Sequence, residues 1–364
     1  MAKVPRVTVS CSAPYGEGGL GQIFKQVVEE YRRQDQLDCY FAGRVPRGDR
    51  MGLEVSPWGL GMLLHYTPAR FRPDWRADLA ADRFDRAVAR RLEGGETFLG
   101  FVGQSFSSFR SARRRGFRRL ELESPIGHYS YVLRQQQKTD ACGIERGWLS
   151  ARHHARALRE YDLADSIHVA SNYARETFRE HGVPDEKLIL KQFVPDERFT
   201  PSRRVERDGV YRVVYAGALT ALKGVHVLLD AFSRLSGPAE LMLVGGWASR
   251  GMRRFITDRM QSDPRIRVQP GDPLPVLRGA DAYAHPTFHD GFGFAPMEAL
   301  ACGVPVIVTQ DTGMREHVRE GVNGFVIPTG NVDALVDRLE FLQAHPLIIE
   351  APRGPTSRSM PLTR

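Results

Sequence analysis

Four cysteines in 364 residues, at 11, 39, 142 and 302, are too few and too scattered to form a framework. No C-x-x-C pair is present, which argues against a zinc site and fits a reducing compartment. No apolar run approaches the roughly 18 residues of a membrane span. The opening MAKVPRVTVSCSAPYGEGG lacks the apolar core and small-residue cleavage site of a secretory signal, so a cytoplasmic location is expected. Asp-x-Asp is also absent, so the sequence supports no metal clamp on a phosphate-bearing substrate, and neither a metal nor another cofactor is expected. Internal repeats and low-complexity tracts are missing too.

What is present is ordinary for a globular chain: 42% hydrophobic and 26% charged residues. The length suggests two domains. Net charge is +8, from 51 Lys and Arg against 43 Asp and Glu. Part of it sits in FRSARRRGFRRL, with arginines at 110, 113, 114, 115, 118 and 119. Nucleic acid, acidic lipid or a phosphorylated substrate can each use such a patch. With no aromatic-rich or zinc motif beside it, a solvated helix face is preferred, and no nucleic-acid partner is expected.

Two α/β halves can be read. In the first, 6–10, 37–43, 119–124 and 166–171 read as strands, 16–21 as a glycine loop and 22–33 as a helix with Ile23, Phe24, Val27, Val28 and Tyr31 on one face. The stretch from about 44 to 95, rich in Pro, Gly, Trp and Arg, resists parsing and suggests long loops. In the second, 211–217, 240–246, 265–269, 281–285 and 304–308 read as strands, with helices at 223–235 and 250–261. Short apolar strands alternating with helices imply parallel sheets covered on both faces. The polar stretch 195–209 reads as the linker.

The segment HPTFHDGFGFAPMEALACGVPVIV (285–308) places Asp290 and Glu298 around a glycine-aromatic loop. Ligands of open α/β sheets bind beyond the carboxyl ends of strands, so 286–297 should line a cleft. Pro296 suits the first turn of a helix, which puts Glu298 in that turn as well. Gly291 and Gly293 allow close backbone approach to a ligand, and free N–H groups near 294–297 attract an anion. Two carboxylates around such a backbone fit a ligand with hydroxyls at both ends and phosphate between, the layout of a nucleotide sugar. Taken alone, a helix cap at Glu298 and a turn former at Asp290 would account for the same residues.

HDGFGFAPMEALACGVPVI resembles the Glu-x7-Glu signature of the retaining GT-B glycosyltransferases of family four, glycosyl transferases group 1. Asp290 stands where the first glutamate usually stands and Glu298 matches the second. The resemblance extends to GALTALKGVHVLLDAF (217–232), to 160–199, to DTGMREHVREGVNGFVI (311–327) and to the amino-terminal glycine loop. It implies a GT-B architecture of two Rossmann-like domains whose parallel sheets face an interdomain cleft: an acceptor-side domain at 1–200, a nucleotide-sugar donor domain at 201–345 and an irregular tail at 346–364. The activity implied is transfer of a hexose from a UDP- or GDP-sugar to a glycan, lipid-linked or small-molecule acceptor with retention and without metal. Carried over by position, Glu298 would bind the donor ribose. Asp290 would contact the sugar, helped by the backbone of Gly291, Phe292, Gly293 and Phe294, and Gly217 would adjoin the donor. Lys223 would neutralise the diphosphate, and His128 would stand near the transferred sugar. His128 reads equally as a loop histidine bonded to backbone. The family's arginine falls on Ala218, with Arg315 a candidate substitute.

Gly16-Glu17-Gly18-Gly19-Leu20-Gly21 also matches G-x-G-x-x-G, the fingerprint of an NAD-binding oxidoreductase. That reading needs an acid at the carboxyl end of the second strand, whereas Asp38 stands at its start. Gly18 and Gly19 are therefore read as a close-approach loop facing the donor. A sugar-nucleotide epimerase and a catalytically weak or inactive nucleotide-sugar-binding protein remain as alternatives. The basic patch would allow peripheral contact with an anionic membrane.

Overall fold

The computed structural model describes residues 6–55, 72–191, 193–201 and 208–345. The tail expected at 346–364 and part of the linker, 202–207, lie outside the described residues. The chain forms two sheets, each parallel throughout, with helices on both faces. The first runs β3-β2-β1-β4-β5-β6-β7, built from β1 (Val7–Pro14), β2 (Leu37–Arg44), β3 (Gly52–Glu54), β4 (Thr97–Phe101), β5 (Arg119–Ser124), β6 (Ser166–Val169) and β7 (Leu188–Leu190). Its helices are α1 (Gly18–Arg33), α2 (Pro73–Arg91), α3 (Phe106–Arg114), α4 (Tyr129–Asp140), α5 (Ala151–Leu163) and α6 (Asn172–Arg179).

The second sheet runs β10-β9-β8-β11-β12-β13. It comprises β8 (Tyr211–Ala216), β9 (Ala239–Val244), β10 (Ile266–Gln269), β11 (Ala282–His285), β12 (Val306–Thr309) and β13 (Gly324–Ile327). Around it lie α7 (Val225–Phe232), α8 (Arg250–Ser262), α9 (Leu274–Leu277), α10 (Phe294–Ala301) and α11 (Val332–Ala344). Val213, Leu241, Ala282 and Ile307 bury one face of this sheet against Val225, Leu228, Leu229 and Phe232 of α7. Complete burial of one such side chain contributes roughly 1.5–3 kcal/mol, which is why these short strands hold without alternating polar positions. Gly224, which starts α7, has φ +72°, and a Cβ there would lie 1.8 Å from the Pro286 carbonyl oxygen; only glycine lets the β8 loop lie against the β11 loop.

Three expectations need correction. The stretch 44–95 is not loop alone: it contains β3 and the 19-residue α2. The buried side of α2 holds Asp74, Asp78 and Asp85 beside Ala81, Phe84 and Val88, so its apolar periodicity is interrupted by acids that have partners inside. Asp78 pairs with Arg156 at 2.6 Å, and Asp85 accepts the Ser107 and Ser108 amides. The glycine loop at 16–21 is mostly helix: α1 starts at Gly18, and a Cβ on Gly21 would meet the Pro14 carbonyl at 2.3 Å. The linker read at 195–209 begins later, because Phe199 is buried among Val214, Val244 and Leu277 of the second half and Arg198 reaches Asp272 at 2.6 Å.

Candidate active site

In each sheet one central strand is followed by neighbours on opposite sides, which opens a crevice at the carboxyl edge. In the second sheet that switch lies between β8 and β11. Lys223 follows β8, Asp290 follows β11, and the two meet there: Lys223 Nζ lies 2.7 Å from Asp290 Oδ2. His285, the last residue of β11, places Nε2 3.0 Å from the same oxygen. Asp290 Oδ1 has no hydrogen-bond donor among the described residues. Burial opposes ionisation of Asp290, but the Lys223 charge and the His285 contact outweigh it and hold the carboxyl well below the usual range. Burial in turn pushes His285 down, so the ring is neutral at pH 7.

Glu298 is in the opposite state. Burial pushes its carboxyl up to about 7; Arg198 offsets part of this, while Asp196 and Asp272 add to it. Arg198 is itself paired with Asp272, and Glu298 has no hydrogen-bond or ion-pair partner among the described residues. Between the two lies the buried Tyr283, whose hydroxyl donates to the Ala216 carbonyl at the end of β8 at 2.8 Å and which burial pushes well above the usual range. Glu298 is not in the first turn of its helix as expected. α10 starts at Phe294, with Gly293 (φ +95°) before it, so Glu298 is its fifth residue. The Met297 amide already bonds the Gly293 carbonyl at 3.2 Å, which leaves the Phe294 and Ala295 N–H groups as the open donors of that end.

The 286–293 loop is also where the two halves touch. The Gly127 amide donates to His289 Nε2 at 3.0 Å, so Nδ1 carries the ring proton and faces the Tyr173 hydroxyl at 2.8 Å. Ser171 Oγ donates to the Gly291 carbonyl at 2.5 Å, and Tyr131 donates to Asp311 at 2.5 Å. Glu316 accepts the Tyr173 amide at 2.6 Å, closing the start of α6. A second bridge is Glu145, whose carboxylate accepts the Ala221 amide at 2.6 Å and the Ser249 hydroxyl at 2.5 Å. A cavity of about 590 Å³ lies beside this Glu145 loop, between Asp74, Asp140 and Ser150, and not at Asp290.

The expected site residues divide accordingly. Lys223 and Asp290 meet at the edge of the second sheet, and Glu298 stands on α10, the helix that follows the Asp290 loop. Gly217, exposed with φ +143°, follows β8 beside them. Gly18 and Gly19 are exposed at the start of α1 at the carboxyl edge of the first sheet, where an added Cβ meets nothing within 4 Å. Gly291 lies in the contact between the halves: a Cβ there would meet the Pro125 carbonyl at 2.2 Å. Phe292 and Phe294 turn to Phe193, at 5.6 and 5.3 Å between ring centroids. His128 caps α4 and packs in the first half. Its Nδ1 accepts the Ser130 amide at 3.2 Å, its ring stacks on His181 at 4.4 Å, and burial pushes it down to about 3. Arg315 does not stand in for an arginine at 218, since it pairs with Glu176 at 2.6 Å. His289, Tyr173 and Glu145 were not singled out from sequence; only tertiary proximity gives them a role.

Comparison with known proteins agrees with this geometry. Residues 196–351 match the family model described as Glycosyl transferases group 1. The D-inositol 3-phosphate glycosyltransferase of Corynebacterium urealyticum is 24% identical over 229 residues, covering 54% of this chain and 54% of that protein. That of Paenarthrobacter aurescens is 28% identical over 197 residues, covering 50% and 48%. The chain thus spans about half the length of the curated relatives it matches. Among solved structures, sucrose-phosphate synthase from Thermosynechococcus elongatus superposes with a TM-score of 0.71 at 17% identity, covering 94% of this chain and 90% of that one. Anabaena HepE in complex with UDP and glucose gives 0.65 at 16% identity, covering 93% and 89%.

Proposed function

We propose that the chain, whose residues 196–351 match the Glycosyl transferases group 1 model and whose fold is GT-B, is a retaining, metal-independent glycosyltransferase of that family. It would move a hexose from a UDP- or GDP-sugar to a glycan, glycolipid or small-molecule acceptor. One observation carries the reading: the carboxyl of Glu298 is half-buried, raised to about 7 and unpartnered among the described residues, on the helix that follows the loop of the Lys223–Asp290 pair. A bare carboxylate in that position is costly until a ligand supplies hydroxyl donors, and the ribose diol of a nucleotide supplies two.

The remaining parts follow from charge. Lys223 neutralises the diphosphate, aided by the open N–H groups at the start of α10, so negative charge on the leaving group meets donors already in place. Asp290, held ionised with Oδ1 open, accepts from donor-sugar hydroxyls. The acceptor enters from the first sheet's edge, past Gly18 and Gly19. Attack comes on the face from which the phosphate departs, with that phosphate taking the acceptor proton, so no separate base is required. That HepE is seen with UDP and with UDP-glucose supports a nucleotide-sugar donor. No described helix is long and apolar enough to cross a membrane; the location proposed is cytoplasmic, with peripheral membrane contact.

Ala218 favours a second reading, a weak or inactive nucleotide-sugar binder, because the arginine of the family pattern is missing and Arg315 is committed elsewhere. Calorimetric titration of UDP-sugars and GDP-sugars tests the first step: Glu298→Ala should abolish binding, and unchanged affinity would refute the assignment. Turnover of bound donor, with and without acceptor, then separates transferase, epimerase and inert binder.

A further inference from the structure

The sequence placed the cationic patch in the run from Arg110 to Arg119; the structure distributes the charge differently. Arg113 is paired with Asp165, Arg119 lies 3.4 Å from Glu121, and Arg115 bonds Ser111 Oγ. Arg110 and Arg114 instead join arginines of two other helices, α2 and α5, around two neighbouring cavities of about 400 and 300 Å³ that share Arg86, Ser107 and Arg110. Asp82 is the one acid among the described lining residues, and it already serves Arg86 at 3.0 Å and Arg156 at 3.5 Å. Arg90, Arg110, Arg114 and Arg159 have no carboxylate at ion-pair distance among the described residues, and all four are exposed.

The charge belongs to side chains and not to a helix end. The N–H groups at the start of α3 are consumed from inside: Glu160 accepts Ser105 and Phe106 at 2.8 and 3.0 Å, and Asp85 accepts Ser107 and Ser108 at 2.6 and 2.8 Å. Four guanidinium groups held together without counter-charge repel one another, and that repulsion is relieved when an anion enters. Guanidinium forks match phosphate, sulfate and carboxylate oxygens in pairs. Two joined cavities suit one extended ligand carrying at least two such groups. The concave shape favours a chain that enters over a flat bilayer that rests on protruding tips. Base stacking has little to work with, because Phe106, the one ring among the described lining residues, already lies under Arg110 and Arg159 at 5.8 and 5.6 Å.

The geometry points to a binding groove for an anionic glycan, a saccharide chain bearing phosphate, sulfate or uronate groups, along α2, α3 and α5. α3 follows β4, and α5 leads into β6, so Phe106 and Arg152 stand at the carboxyl edge of the first sheet, the edge that faces the cleft, while Arg90 and Arg114 lie toward the far end. A chain seated there has one end directed at the cleft rim. That last point rests on the transferase reading; the affinity for the glycan does not.

The test is calorimetric titration of the full chain with a heparin-derived hexasaccharide at low salt, against neutral maltohexaose. Binding of the charged hexasaccharide alone is expected. Arg110→Ser with Arg159→Ser should weaken it by at least about tenfold, as should the peripheral pair Arg90→Ser with Arg114→Ser if the first does not fold. A charge-matched control on the other half, Arg234→Ser with Arg254→Ser, should change it by less than about twofold. Absence of binding, or equal loss in the control, overturns the proposal. So does a groove variant that loses binding to phosphatidylglycerol vesicles or a single-stranded oligonucleotide while keeping the hexasaccharide. UDP and GDP titrations on the same variants should be unchanged, which keeps failure of the groove separate from failure of the donor site.

Discussion

The loop at 285–293 and the helix face at Glu298 are close in sequence, yet they hold their carboxylates in opposite states. Asp290 is enclosed by Lys223 and His285 and stays ionised far into acid. Glu298, against a helix with no donor directed at it, is raised to about 7. One acid has its charge balanced by the protein at Oδ2; the other has no partner among the described residues. The difference teaches that the site is built asymmetrically: its cationic side is assembled in advance, and its hydroxyl-binding side is completed only by a ligand.

The largest expected effect comes from breaking the assembled side. Lys223→Ala leaves Asp290 buried beside a neutral ring and removes the charge opposite the diphosphate. Transfer should fall by about 10²–10³-fold in steady-state assays, and thermal unfolding should shift down as well. Next is the unfinished side. Glu298→Gln should weaken nucleotide affinity about 100-fold, the loss of two charge-assisted hydrogen bonds reduced to weaker ones, while leaving the free protein as stable as before or slightly more so. Equal destabilisation by both substitutions would erase the contrast.

The pH dependence sharpens it. The folded carboxyl of Glu298 sits above its unfolded value of 4.5, so its burial penalty is fully present above pH 7 and fades as pH falls toward 4.5. Asp290 sits below its unfolded value of 3.8, so its contribution is full above that value and is lost only in stronger acid. Of these two carboxyls, only Glu298 changes between pH 4.5 and 7. Nucleotide affinity should therefore fall as pH drops below about 7, and Glu298→Gln should flatten that dependence. The smallest effect is at the domain contact: Ser171→Ala removes the hydrogen bond to Gly291 and the cap that accepts the Ala174 amide, lowers stability by about 1–2 kcal/mol in a denaturant titration, and leaves nucleotide affinity unchanged.

The sequence revealed the second half more fully than the first. β11 and β12 are buried throughout, and β8 and β9 are apolar apart from Arg212 and Glu240, so each announced itself, and Lys223, Asp290 and Glu298 could be placed from the strand ends. α2 was hidden because Asp74, Asp78 and Asp85 occupy its inner face, where periodicity expects apolar residues. β4, all buried, was overlooked as a short run between polar stretches. Tertiary contacts were hidden in the same way: the Phe292 and Phe294 rings pack on Phe193, Gly291 lies against Pro125 and His128 stacks on His181, none of which a loop of glycines and aromatics announces.

Calorimetric titration of UDP-sugars and GDP-sugars, whose diphosphates hold the same charge at pH 8 and pH 6, on the wild-type chain and on Glu298→Gln, tests the central claim most directly. The account expects one nucleotide sugar to bind the wild type several-fold more tightly at pH 8 than at pH 6, and the variant to bind weakly and equally at both. Binding of equal strength in both proteins at both values would contradict it.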